Sequence, residues 1–130
     1  MALLDGIQLP DGPTGTAVRL YLEAQDRKDL GNAAEFFHDD IVFNGLLLKA
    51  EGRDTVAAAV GQFLEQAIES IRIEAITQVE AGDICRVLAL YWFKLRPAPE
   101  FQILCDHLTI RGGRITRVDN VFDASKLPPM

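Results

Sequence analysis

The chain is poor in the residues that mark several classes of protein. Only two of its 130 residues are cysteines, Cys85 and Cys105. Both fall in runs that read as buried strands, so packed, reduced thiols are expected, with a bridge between adjacent strands left open. Basic residues are outnumbered, 13 Lys and Arg against 19 Asp and Glu, for a net charge of −6. No basic stripe interleaved with aromatics occurs, so neither nucleic acid nor an anionic membrane is an expected partner. No apolar run approaches bilayer length, and the opening Met-Ala-Leu-Leu-Asp has no positive n-region, so a cytoplasmic address is expected. The two histidines, His38 and His107, have no metal-ligand spacing to acids. Neither a glycine-rich phosphate loop nor a nucleophile elbow is present, which points to a site without metal or cofactor.

What is present suits one packed domain. Hydrophobic residues make up 48% and charged residues 25%, and a chain of this length can bury a core without staples. Residues 1–13, with two Asp-Gly pairs and two prolines, read as an irregular arm lying on the surface or against a partner chain. A helix is expected over Thr16–Leu30, with Thr14 or Thr16 as N-cap and Gly31 as C-cap, and with Tyr21 facing inward. Asn32-Ala-Ala-Glu35 has capping-box spacing and predicts a short second helix ending near His38, which would cap its C-terminus. A strand over Ile41–Lys49 and a helix over Thr55–Ile68 with a broad apolar stripe follow. The period then changes to alternation over Ile71–Val79 and Ile84–Leu95, and the prolines of Arg96-Pro-Ala-Pro-Glu100 mark a loop. Residues 124–130 read as a loose tail. The order suggests an α+β domain over 14–123, with three N-terminal helices packed on a curved, mostly antiparallel sheet.

The stretch Phe101–Phe122 reads as a β-hairpin around Gly112-Gly113, the dipeptide that reaches positive φ most cheaply. With a two-residue loop Arg111 faces Arg114, which sets Asp106 opposite Asp119 in a row with Leu104, Leu108, Ile110, Ile115 and Val121. Two carboxylates side by side in an apolar row resist desolvation, so at least one should hold its proton. Arg117 falls between them in this register, and a self-satisfied acid–base cluster would look the same in sequence. A shift of one residue would carry one Asp to the other face.

Three anchors, Val18-Arg-Leu-Tyr-Leu-Glu-Ala with Lys28-Asp-Leu, Phe36-Phe-His-Asp-Asp-Ile-Val-Phe with Gly52-Arg-Asp, and Asp106-His-Leu with Gly113-Arg-Ile-Thr-Arg-Val-Asp119 and Phe122-Asp123, resemble the NTF2-like superfamily. This is the cone-shaped α+β fold of ketosteroid isomerases, limonene-epoxide hydrolases and SnoaL-type polyketide cyclases. The isomerases stabilise an enolate with a helix-1 tyrosine and a protonated aspartic acid in a late strand, the handling of a carboxylic acid that an apolar site keeps neutral. Tyr21 and Asp106 match those two positions. The isomerase base would fall where this chain has Asn44-Gly45, neither of which accepts a proton from carbon. SnoaL-like cyclases use an acid on the last strand at about the position of Asp119, so the resemblance assigns Asp119 as base.

The resemblance therefore implies a small cofactor-free enzyme that isomerises, cyclises or dehydrates a hydrophobic carbonyl compound, polyketide or steroid-like, using Tyr21, Asp106 and Asp119. Phe37, Phe43, Asn44, Phe63, Trp92 and Leu104 are the expected substrate-binding residues. Limonene-epoxide hydrolysis is an alternative, since Asn44, Arg86 and Asp119 approach three of its positions while Leu88 and Val42 replace two others. A non-catalytic binding or dimerisation domain is a further alternative. His107 should point away from the Asp106 face, and an outward face containing Ile103, Cys105, Val118 and Phe122 suggests a homodimer.

Overall fold

The structure, a computed structural model, describes residues 3–45, 48–81, 83–95 and 102–122. Helix α1 spans Gly12–Arg27 and helix α2 spans Arg53–Ala67. The strands are β1 (Phe37–Asn44), β2 (Lys49–Glu51), β3 (Ile68–Ala81), β4 (Ile84–Leu95), β5 (Gln102–Arg111) and β6 (Arg114–Phe122). They form one sheet in the order β2-β1-β6-β5-β4-β3, antiparallel except where β1 runs parallel to β6. Both helices pack on one face of this sheet, which we call the inner face.

The expected three helices are two helices and a 3-10 turn. Helix α1 starts earlier than expected because Pro13 occupies its first turn, a position where the missing N–H costs nothing. It ends at Lys28, which takes the left-handed conformation (φ 57°) in place of Gly31 and turns its Nζ onto the Ile68 carbonyl at 2.6 Å. Gly15 is required in α1 because the backbone of Pro10 lies where a Cβ would sit. The arm before α1 is anchored: Leu3, Leu4, Ile7 and Leu9 pack against the core.

The residues expected to form a second helix make only the Ala33–Glu35 turn, and Phe37-His-Asp-Asp already belongs to β1. The strand is fixed at this end by Ile115 N–H donating to Phe36 O at 2.7 Å. His38 consequently caps no helix; its Nδ1 accepts from the Asp40 N–H at 3.0 Å. Strand β4 matches its expected bounds, as does the β5–β6 loop, where Gly112 and Gly113 take φ of 59° and 77°. Among the described residues neither cysteine forms a disulfide. The expected loop 96–100, Asp123 and the tail 124–130 lie outside the described residues.

The register of the opening hairpin changes partway along. Arg111 pairs with Arg114 and Ile110 with Ile115, but Thr109 then pairs with Arg117, leaving Thr116 as an extra residue. This β-bulge is pinned by Thr116 Oγ1 donating to Thr109 O at 3.2 Å. Beyond it every β6 side chain changes face. Asp106 therefore pairs with Asn120, and Asp119 pairs with His107 on the outer face. Arg117 and Val121 also point outward, Val121 with 62% exposure, while Val118 is fully buried on the inner face.

Candidate active site

Helix α1 presents Ala17, Val18, Tyr21, Leu22 and Gln25 to the inner sheet face. Tyr21 sits in an aromatic cluster, its ring centre 5.4 Å from Phe37 and 5.8 Å from Phe36. Between α1, α2 and the sheet lies a cavity of about 50 Å³. Its walls are apolar, from Phe43 on β1, Phe63 and Leu64 on α2, and Phe93 and Leu104 on β4 and β5. Leu48, Phe63 and Ile71 are the half-exposed members of the wall and mark its mouth. The space holds a few water molecules, so a ring-sized ligand enters by displacing side chains there.

One end of the cavity is polar, formed by Tyr21, Gln25, Tyr91 and Asn120. Behind these lies Asp106, which has no solvent exposure. Tyr91 Oη donates to Asp106 Oδ2 at 2.8 Å, and Asn120 Nδ2 donates to Oδ1. Burial pushes the Asp106 carboxyl up from 3.8 to about 7, against the pull of Tyr91, Asn120 and the nearby Gln25 amide, which favour the charged form. Burial and the adjacent Asp106 charge also raise both Tyr21 and Tyr91 well above the ordinary phenol value. A carboxyl that exchanges its proton near neutrality, wired to phenols on an apolar cavity, is equipped for proton transfer.

Asp119 stands elsewhere. The bulge places it on the outer face, where Arg117 Nε donates at 2.9 Å and 3.2 Å and Asn44 Nδ2 donates at 3.1 Å. Partial burial pushes this carboxyl up, but the hydrogen bonds from Arg117 and Asn44 and the Arg117 and His107 charges outweigh it and hold the pKa below the ordinary value. The expected pairing of two carboxylates is thus replaced by an Asp106–Asn120 pair inside and an Asp119–Arg117–Asn44 group outside. Arg117 does not close the cavity.

Of the expected substrate-binding residues, Phe43, Phe63 and Leu104 line the cavity. Phe37 lies behind Tyr21 in the core, whereas Asn44 and Trp92 are on the outer face, Trp92 donating to Glu74 at 3.0 Å. Asn44 and Asp119, two residues of the epoxide-hydrolase resemblance, do meet, but outside, and Arg86 is exposed on that same face. Sequence reading missed Gln25, Tyr91 and Asn120. Gln25 follows Tyr21 by one helical turn and Tyr91 pairs with Leu104, so helical spacing and strand alternation carried both signals. Asn120 was hidden by the bulge. At the site of the missing base, a Cβ on Gly45 would lie 2.6 Å from Asn120 Oδ1 and 3.0 Å from Leu48 O. The asparagine occupies the space an acid would need.

Comparison with known proteins agrees with this architecture. The SnoaL-like domain matches residues 18–118, and the chain belongs to that family, within the NTF2-like superfamily. Its fold is shared with an NTF2-like protein of Burkholderia pseudomallei (TM-score 0.71, 18% identity, 89% of this chain and 95% of that one). A steroid delta-isomerase from Pseudomonas aeruginosa is similar to the same degree (TM-score 0.71, 16% identity, 89% and 84%). TerC, co-crystallised with polyporic acid, is also similar (TM-score 0.68, 16% identity, 88% and 94%). None of the curated proteins compared with the sequence matches it. Among the described residues no helix is long and apolar enough to cross a membrane.

Proposed function

We propose that the protein is a cofactor-free enzyme that moves a proton on a hydrophobic carbonyl compound, in an isomerisation, cyclisation or dehydration. The observation that carries this reading is Asp106, wholly buried, with a pKa of about 7, and joined through Tyr91 and Asn120 to the wall of an apolar cavity. Similarity in fold to a steroid delta-isomerase and to TerC with polyporic acid supports a ring-shaped, oxygen-bearing substrate.

The apolar body of the substrate packs on Phe43, Phe63 and Leu104, and its carbonyl oxygen meets the hydroxyls of Tyr21 and Tyr91. As negative charge develops on that oxygen, the two phenols stabilise it, an effect commonly worth about 3 kcal/mol per donor. Tyr91 passes its hydroxyl proton to the oxygen and takes one from protonated Asp106, while the proton leaving the adjacent carbon is accepted by a water in the cavity. Its return to carbon, as the oxygen proton goes back, completes the isomerisation. The resulting carboxylate is held by Tyr91 and Asn120, and the reverse transfer resets the site. Tyr21 keeps the role the resemblance gave it, Asp106 acts on the oxygen through Tyr91 instead of directly, and the outward-facing Asp119 is left to the sheet surface.

The test is fluorescence titration with a naphthol, whose anion mimics an enolate. Wild type should bind it and favour its anion, and Tyr21→Phe and Asp106→Asn should each weaken binding about tenfold or more. Binding that is absent, or indifferent to both substitutions, overturns the reading.

A second copy of the chain is the proposed partner. Leu88, Ile103 and Val121 are exposed on the outer face beside Leu90 and Cys105. That face also carries Asp119 and Glu74 together with Arg117 and Arg86, so a two-fold related copy meets both apolar area and opposite charge.

A further inference from the structure

The polar end of the cavity holds one donor that makes no hydrogen bond of proper geometry, although it lies near enough to Asp106 to favour the charged carboxyl. Gln25 is 5% exposed, lines the cavity, and its Nε2 has no hydrogen-bond partner among the described residues. A buried amide N–H left unpaired is costly, and such a group in a folded protein calls for a reason. Both oxygens of neighbouring Asp106 are already engaged, by Tyr91 and Asn120. Gln25 lies one helical turn beyond Tyr21, so the two side chains leave the same face of α1 side by side.

We propose that Gln25 receives a second oxygen of the substrate, so that the ligand carries two oxygens on adjacent or nearly adjacent carbons at one end of an apolar ring. Resting on the carbonyl reading above, this narrows it to hydroxy-ketones, enolised diketones and hydroxyquinones. Tyr21 takes the first oxygen and the Gln25 amide takes its neighbour. The other polar groups at that end, Tyr91 and Asn120, are bonded to Asp106, so a ring with a single oxygen leaves the amide unpaired, and the site discriminates against it.

The experiment compares two neutral probes that share a ring system, a naphthol with one hydroxyl and a naphthalenediol with hydroxyls on adjacent carbons. Affinities are measured for wild type, Gln25→Leu and Gln25→Met, each checked for an intact fold by its thermal transition. Wild type should prefer the diol by about five- to tenfold, the yield of one hydrogen bond to a group otherwise unpaired. Both variants should bind the two probes alike while keeping wild-type affinity for the naphthol within about twofold. Retention of the preference by both variants overturns the proposal, and so does equal weakening of both probes, which would mean that Gln25 acts through packing or through Asp106. A wild type without preference overturns it as well. If Tyr21→Phe leaves naphthol binding unchanged, the carbonyl reading itself has failed, and this proposal fails with it.

Discussion

Asp106 faces Asn120 across the β5–β6 hairpin, and the carboxyl oxygen Oδ1 accepts a hydrogen bond from the Asn120 amide. The single extra residue Thr116 produces this pairing. Without it Asp119 would stand in the place of Asn120, and two acids would compete for one desolvated space. The bulge separates them, sending one carboxyl into the core near its titration point and the other to the surface, where Arg117 keeps it ionised.

Asp106 should make stability depend on pH in an unusual direction. Its folded-state pKa of about 7 lies above the ordinary 3.8, so the folded protein holds the proton more tightly than the unfolded chain. The stability this supplies is complete below about pH 4 and disappears as pH rises through about 7, a change of about 4 kcal/mol. Urea denaturation at pH 5 and pH 8 should show about 2.5 kcal/mol of that loss in wild type and none of it in Asp106→Asn. Equal slopes for the two proteins would contradict the burial of an ionisable group here.

Asp119→Asn should leave naphthol binding at neutral pH within about twofold of wild type and cost less than about 1 kcal/mol of stability, as expected for a largely solvent-screened ion pair. Loss of binding in this variant would return Asp119 to the active site.

Gly45→Ala should destabilise by about 1–3 kcal/mol, because the new methyl group is forced onto Asn120 Oδ1 and Leu48 O. The displaced Asn120 also disturbs Asp106, so naphthol binding should weaken in the same variant. Chemical denaturation and titration of one preparation check both, and a neutral substitution would contradict the close packing at this position.

If the outer face joins two copies, Leu88→Glu and Val121→Glu should each convert a dimer to a monomer in size-exclusion chromatography with light scattering. A monomeric wild type at micromolar concentration would rule the pairing out.

Much of the fold was legible because the residues speak locally. Strand β4 alternates cleanly, and Gly112-Gly113 announces a two-residue turn. Tyr21 and Asp106 could be placed at the site from helical spacing and an apolar row. The bulge had no such signal, since Thr116 is an ordinary strand residue whose hydroxyl bond to Thr109 exists only once the sheet has formed. That one position carried Asp119, Arg117, Val118 and Val121 to the wrong faces. The polar run His38-Asp39-Asp40 concealed the start of β1, because those side chains are exposed while the strand gains its partner from β6, distant in sequence.

The proposed chemistry depends on the proton held by Asp106. The most direct measurement is a carbon-detected NMR titration of the Asp106 carboxyl in wild type and Tyr91→Phe. The expected result is an inflection near pH 7 in wild type, moved upward when the Tyr91 hydrogen bond that favours the charged form is removed. An inflection near pH 4, where an ordinary aspartate titrates, would contradict it.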